Sequence, residues 1–291
     1  MSTTDDAALD DAALRPALAG VRAFVLDADG VIFLRGEAID GSLEAIGRLD
    51  ARGIPYRVVT NFSSLHRATL ASRLAGTYDR AFDPDRIITA CSAAARFTSV
   101  RFHGRPIVVT AAPDALREFE DQEVIPIETA VPGEVAAVVI GDAGDELTYR
   151  NMDRLFRLIR GGAAFLAMHR NPWWLTPAGP TIDAGAIVAG LEYATGRRAT
   201  VLGKPSPEVF RVALAGLRAD LGERLPAGDV LMVGDDPDAD VRAAQRVGLR
   251  GVLVLSGKTT AADVAAGRLG TGRRAPDGIA ASLAEVVAAL D

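Results

Sequence analysis

Short apolar runs, each followed by a helical pattern, recur along this chain and restrict its fold more than any other feature. The clearest are VRAFVL (21–26), PYRVVT (55–60), RPIVVT (105–110), VAAVVI (135–140), ATVLG (199–203), DVLMVG (229–234) and GVLVL (251–255). Strands this continuously apolar are covered on both faces, and strands separated by helices pair in parallel. The pattern therefore predicts an α/β architecture. Helix signals agree: Ser42 is placed to cap LEAIGRLDARG, with Leu43, Ile46 and Leu49 on one face and Gly53 beyond its end. In GKPSPEVF, Ser206 followed by Pro207 opens another helix.

In a parallel α/β sheet, ligands bind beyond the carboxyl ends of the strands. The residues that follow each run thus become the candidates for chemistry. FVLDADGVIF (24–33) places Asp27 and Asp29 two positions apart, where an extended chain points both toward one crevice, and Gly30 lets the chain turn away. VVTN places Thr60 and Asn61 after a second run, VLGKPSP places Lys204 after a third, and MVGDDPDAD places Asp235, Asp236, Asp238 and Asp240 after a fourth. Singly these are ordinary: an Asp-Gly turn, a helix N-cap, a surface lysine, a solvated acidic cluster. Together they predict a carboxylate pair, a hydroxyl, an amide, a lysine and further acids at one sheet edge.

Phosphoryl transfer to a carboxylate uses that set. An aspartate attacks phosphorus and splits one difficult hydrolysis into two easier steps. A second acid protonates the leaving oxygen and later takes a proton from water. Clustered carboxylates repel one another, and a hard divalent cation with oxygen ligands, typically Mg²⁺, relieves that conflict. Lysine and hydroxyl donors hold the equatorial oxygens of the phosphoryl group.

The ordered motifs D-x-D-G-V, V-T-N, G-K-P-S-P and V-G-D-D-x-x-x-D resemble the haloacid dehalogenase-like (HAD) phosphatase superfamily over nearly all of residues 20–290. Within it, GLEYATGRRATVLGKPSPEVF and AAQRVGLRGVLVLSGKTT are similar to subfamily IIA, the p-nitrophenylphosphatase-like branch. The first of these, with FLAMHRNPWW before it, further resembles the phospholysine phosphohistidine inorganic pyrophosphate phosphatase group. The resemblance implies a Rossmann-like core with a parallel sheet and an inserted α/β cap. It implies Asp27 as nucleophile and Asp29 as general acid/base. It implies Asp27, the Asp29 carbonyl and Asp235 as Mg²⁺ ligands, supported by Asp240, with Thr60, Asn61 and Lys204 binding phosphate. Phe62 departs from the T-N-N or T-N-T of many relatives and removes a side-chain donor there.

Spacing independently predicts an insertion. Asp27 to Thr60 is 33 residues and Lys204 to Asp235 is 31, each the length of one β-α unit, whereas Thr60 to Lys204 is 144, about 100 more than a unit needs. The excess has its own strand–helix pattern. The expected organisation is a flexible N-terminal extension (1–20), a catalytic core (21–91 with 199–291) and a cap (92–198). At 291 residues, 49% hydrophobic, the chain is long enough for both.

Composition narrows the partners. A net charge of −6 gives no basic footprint for nucleic acid. The first twenty residues lack the charged and apolar regions of a signal peptide, and no apolar run reaches spanning length. A cytoplasmic protein acting on a small phosphorylated substrate is expected, without membrane or nucleic acid, and the resemblance implies a homodimer. Cys91 can form no internal disulfide and reads as a small buried residue; His66, His103 and His169 show no zinc spacing. AGRLGTGRRAPDG (266–278) reads as a loose basic loop. Gly257-Lys258-Thr259 mimics a P-loop, but Gly251 is one residue out of register and position 252 is Val, so a post-strand loop is expected.

Two alternatives stand beside the phosphatase. A phospho-accepting signalling domain uses similar residues but leaves the insertion unexplained. A pseudo-phosphatase that binds phosphorylated ligands without turnover keeps every motif. Two readings of AMHRNPWWLTPAGP (167–180) stand equal: His169 and Arg170 set substrate choice, or both tryptophans are core or subunit-interface residues and His169 is a hinge residue. Under the first, alternation predicts that at most one of Trp173 and Trp174 lines the cleft while the other packs inside.

Overall fold

The computed structural model describes residues 11–176, 179–222, 224–269 and 274–290. Two compact units divide the chain: Met1–Val59 with Ala213–Asp291, and Thr60–Val212.

Five strands pair side by side in the first unit, in the order Gly278–Ala280, Arg250–Val254, Val230–Gly234, Ala23–Asp27 and Tyr56–Thr60, the last running to the unit's boundary. Each neighbouring pair among these five is parallel. Ala23–Asp27 and Val230–Gly234 are buried at every residue, as expected of strands covered on both faces. From Ala23–Asp27 the chain first adds a neighbour on one side, Tyr56–Thr60, and later builds Val230–Gly234 on the other. The strand order thus reverses at Ala23–Asp27, and its carboxyl end is where such a sheet opens a ligand crevice.

The buried strand Tyr56–Thr60 carries a charge in its interior. Arg57 donates two N–H bonds to Asp220, at 2.6 and 3.0 Å. Gly216 makes the space: a Cβ there would lie 2.8 Å from Arg57 Nε.

The second unit contains a four-stranded sheet, ordered Thr200–Val201, Ala164–Ala167, Ala137–Ile140 and Ile107–Thr110, with parallel pairing throughout. Strand alternation sorts its residues into two cores. Ile107, Val139 and Leu166 pack with Cys91, Phe119 and Met168 on one face. Val108, Val138 and Phe165 pack with Leu155, Leu158, Val188 and Leu191 on the other. Helices Tyr149–Arg160 and Ala184–Thr195 supply those last residues because their apolar positions recur three and four apart. A separate hairpin pairs Trp173–Thr176 with Gly179–Ile182.

Every run read as a strand contains one, with ends shifted by a residue or two. ATVLG shortens most: only Thr200 and Val201 pair, with Leu166 and Ala167. Lys204 therefore follows a strand of the four-stranded sheet, not the sheet that carries Asp27, which corrects the single-edge expectation. Ser42 is not the cap of its helix; it is the first helical residue after Gly41, and its hydroxyl instead donates to the Ile32 carbonyl at 2.8 Å. Ser206 does cap, accepting from Glu208 N–H, and Pro207 opens the helix Pro207–Leu221.

The flexible extension expected over 1–20 also needs correction. Residues 1–10 lie outside the described residues, but Asp11–Leu18 is a helix with Leu14, Ala17 and Leu18 buried. Leu14 and Ala17 come so close to Gly278 that a Cβ there would sit 3.2 and 3.3 Å from them. Within the loop read at 266–278, residues 270–273 are outside the described residues, and Arg268 pairs with Asp263. Among the described residues, no helix is long and apolar enough to cross a membrane.

Candidate active site

The strand Ala23–Asp27 ends at its only charged residue. Asp27 is buried, and the next backbone N–H, that of Ala28, donates to its Oδ1 at 2.7 Å and orients the carboxylate. The chain then turns back: Ile32 and Phe33 N–H both donate to the Ala28 carbonyl, and Gly30 N–H donates to that of Phe33. Asp29 lies on this turn and is exposed. The two acids therefore differ in environment, one fixed inside and one reachable from solvent.

Asp235 and Asp240 come from the end of the neighbouring strand. A short π-helical segment, Pro237–Arg242, follows it and carries Asp240 back toward the strand end. Such segments are frequent at functional sites. Asp240 Oδ2 accepts Asp236 N–H at 3.1 Å, and Asp236 Oδ1 caps the segment by accepting Asp238 and Ala239 N–H, each at 2.9 Å. Asp238 bonds Arg242 at 2.7 Å. As a result, one carboxylate oxygen from each of Asp27, Asp235 and Asp240 lies within 4.8 Å of the others. All three residues are buried.

Three glycines allow this approach. A Cβ at Gly30, whose φ is +83°, would stand 2.0 Å from Asp235 Oδ2; one at Gly257 would stand 2.1 Å from the same atom; one at Gly234 would stand 2.3 Å from Asp240 Cβ. Gly30 was legible as a turn residue, but its close approach to Asp235 was not.

Sequence reasoning missed the loop after Arg250–Val254. Ser256 Oγ donates to the Gly30 carbonyl at 2.7 Å, and Lys258 N–H donates to Asp235 Oδ2 at 2.6 Å. Lys258 Nζ bonds Asp236 Oδ2. Burial would raise the Asp236 carboxyl, but the bonds from Lys258, Ala239 and Asp238 outweigh it and hold the group below the usual carboxylate range. The bond to Asp236 in turn raises Lys258 against its partial burial, helped by the charges of Asp236, Asp235 and Asp240. The false P-loop is a post-strand loop as expected, yet it anchors two acids of the site. Its place after the strand adjacent to Val230–Gly234 was the available signal.

The three carboxylates form a donor set for a hard cation. Oxygen-only ligands suit Mg²⁺ or Ca²⁺ rather than the nitrogen- and sulfur-seeking metals. The Asp29 side chain does not belong to the group.

Thr60, Asn61 and Lys204 belong to the second unit. Thr60 and Lys204 are buried there. Thr60 Oγ1 accepts Phe62 N–H at 3.1 Å, so its own proton is available to donate elsewhere. Asn61 Nδ2 donates to the Lys204 carbonyl at 3.0 Å and ties the two segments together. Phe62 contributes its backbone carbonyl, which accepts Ala90 N–H.

In the segment considered for substrate choice, the histidine is buried and both tryptophans are exposed. His169 is 2% exposed, and its Nε2 lies 2.9 Å from Ser63 Oγ. Arg170 bonds Glu192 at 2.7 Å, and Arg198 bonds the same oxygen at 2.9 Å. Trp173 and Trp174 are 58% and 42% exposed, so neither packs inside. The physical reason is that they stand on a two-stranded hairpin and not in a layered sheet. Residues 177 and 178 of that segment lie outside the described residues.

Comparison with known proteins places these features in a family context. Residues 24–125 match the family described as haloacid dehalogenase-like hydrolase, and residues 201–286 match one described as HAD-hydrolase-like. Haloacid dehalogenase-like hydrolase domain-containing protein 2 of Bos taurus is 33% identical over 243 residues, covering 84% of this chain and 87% of the relative. The Homo sapiens phospholysine phosphohistidine inorganic pyrophosphate phosphatase is 34% identical over 253 residues, with the same coverage of 84% and 87%. A p-nitrophenyl phosphatase from Archaeoglobus fulgidus superposes with a TM-score of 0.80 at 28% identity, covering 92% of this chain and 99% of that one. A 4-nitrophenylphosphatase from Thermotoga maritima gives 0.80 at 29%, covering 94% and 99%.

Proposed function

The chain belongs to the haloacid dehalogenase-like hydrolase superfamily, in its p-nitrophenylphosphatase-like subfamily IIA, and is a HAD-type phosphatase; we propose that it hydrolyses a small phosphorylated substrate with Mg²⁺ through an aspartyl-phosphate on Asp27. The substrate class is a phosphomonoester, pyrophosphate or phosphoamino acid. The observation that carries this reading is the buried group of Asp27, Asp235 and Asp240, which sets the expected nucleophile among carboxylates spaced for one cation.

In the first step an Asp27 carboxylate oxygen attacks phosphorus, the Asp27–phosphorus bond forms, and the bond to the leaving oxygen breaks. Asp29 donates its proton to that oxygen. In the second step Asp29 takes a proton from water, the water oxygen attacks phosphorus, and inorganic phosphate leaves as the bond to Asp27 breaks. The difference in environment supports the division of labour. Asp27 is held by Ala28 N–H inside the site, whereas exposed Asp29 can exchange protons with solvent.

Asp27, the Asp29 carbonyl and Asp235 would hold Mg²⁺, with Asp240 supporting them through its bond to the Asp236 N–H. When bound, the cation supplies positive charge that offsets the carboxylates and the transferring phosphoryl group. Thr60, Asn61 and Lys204 bind the phosphoryl oxygens, and residues 92–198 form the cap.

The test is turnover of p-nitrophenyl phosphate by wild-type protein and by Asp27→Asn. Mg²⁺-dependent release of p-nitrophenol, abolished in a folded Asp27→Asn preparation, is expected. Appreciable steady-state activity in Asp27→Asn overturns the nucleophile assignment. Phosphate binding without turnover in wild type establishes the binding-protein alternative.

A further inference from the structure

Residues 167–169, at the carboxyl end of Ala164–Ala167, touch both segments that carry the proposed phosphate ligands. The Ala167 carbonyl accepts Leu202 N–H at 2.9 Å, and the Met168 carbonyl accepts Gly203 N–H at 2.7 Å, one residue before Lys204. Gly203 is pressed between the two sides: a Cβ there would lie 2.6 Å from the Met168 carbonyl oxygen and 2.7 Å from Asn61 Oδ1. His169 then reaches the other segment, with Nε2 2.9 Å from Ser63 Oγ, two residues beyond Asn61. Both side chains are buried, so the bond has no competing water.

The ring's other contacts assign its proton. Asn171 N–H donates to Nδ1 at 3.4 Å, which makes Nδ1 the acceptor. The neutral ring therefore carries its proton on Nε2 and donates it to Ser63. Asp183 Oδ1, which caps helix Ala184–Thr195 by accepting Ala184 N–H at 2.7 Å, lies 3.7 Å from the same Nε2. Burial lowers the imidazole's proton affinity, against the charges of Asp183 and Asp142 that face it, and so favours the neutral ring.

We infer that His169 is a positioning residue: by holding Ser63 it fixes the loop that carries Thr60 and Asn61 against the strand end that also holds Gly203 and Lys204. The imidazole does not touch substrate. It acts by setting the spacing between two sets of phosphate donors, and the inference rests on the reading that Thr60, Asn61 and Lys204 bind phosphate.

The experiment measures the Kd of inorganic phosphate by calorimetry on the Mg²⁺-loaded protein, so its readout does not depend on turnover. One buried hydrogen bond of about 1 kcal/mol, transmitted to the donors, corresponds to roughly a fivefold change in Kd. Ser63→Ala and His169→Leu should each weaken phosphate by roughly that factor, and the double variant should be no weaker than the weaker single. His169→Gln, whose amide can donate to Ser63, should restore binding to within about twofold of wild type. If His169→Leu does not fold, Ser63→Ala and His169→Gln decide the matter. Unchanged phosphate Kd in Ser63→Ala, additive losses in the double variant, or an imidazole ¹⁵N spectrum showing the proton on Nδ1 overturns the inference. Phosphate binding without turnover in wild type removes the hydrolase mechanism and leaves this test standing.

Discussion

Gly257→Ala isolates the packing that lets Asp235 enter the site. The new methyl carbon would lie 2.1 Å from Asp235 Oδ2 and 2.5 Å from Gly30 Cα, whereas unstrained contacts between heavy atoms begin near about 3.5 Å. Either the carboxylate or the loop must retreat by about 1 Å, and Gly30 Cα, being backbone, offers little relief. Retreat breaks the 2.6 Å bond from Lys258 N–H to Asp235. Overpacking costs about 1–3 kcal/mol, and a hydrogen bond to a charged group contributes about 1.5–3 kcal/mol. A loss of about 2.5–6 kcal/mol in metal-free stability is expected. Mg²⁺ affinity should fall about 10- to 100-fold, the usual effect of disturbing a ligand's support. Gly190→Ala is the matched control. Gly190 lies in helix Ala184–Thr195 with nothing within 4 Å of its Cβ position, so the same methyl should stabilise by about 0.8–1 kcal/mol. Thermal unfolding in EDTA and calorimetric Mg²⁺ titration measure both quantities. Wild-type Mg²⁺ affinity in Gly257→Ala, or equal destabilisation by the two substitutions, refutes the reasoning.

Asp29→Asn should keep Mg²⁺ binding, because its side chain is outside the carboxylate group, while turnover falls about 10²- to 10⁴-fold; equal losses in both half-reactions with p-nitrophenyl phosphate would contradict its acid/base role. Asp240→Asn removes one of three clustered charges but keeps an acceptor for Asp236 N–H, so weaker Mg²⁺ binding without unfolding is expected by calorimetry and circular dichroism. Because burial lowers the His169 pKa, the unfolded chain binds more protons than the folded one below about pH 6.5, and the stability this group contributes is lost as pH falls through that window. Thermal melts between pH 7.5 and 5 should therefore show a smaller acid-side fall in His169→Gln than in wild type. Burial also pushes the Cys91 thiol far up, so a thiol reagent should label the native protein negligibly and the denatured protein once.

Much of this architecture was written in local order. Continuous apolar runs specify buried strands whatever lies beside them, so the strands containing Phe24, Val58, Val138 and Val233 were legible before any pairing was known. The rule that ligands gather at strand carboxyl ends then singled out Asp27, Thr60 and Asp235. What stayed hidden depends on distances between segments remote in sequence. That Gly257 and Gly30 wall the Asp235 carboxylate follows from the neighbouring positions of their strands, which no residue on any one of them announces. Lys204 looked like a partner of the acid-bearing sheet because a strand's own residues do not name its neighbour, and Thr200–Val201 joins Ala164–Ala167 instead. The burial of His169 and the exposure of both tryptophans were hidden for the same reason. A polar ring can be buried once Ser63 supplies its bond, and an indole stays exposed when its hairpin has no covering layer. The sequence by itself determined which segments are strands and which chemistry their ends can perform. Tertiary packing alone decided which of those ends meet, because burial and close approach are properties of pairs of segments and not of either one.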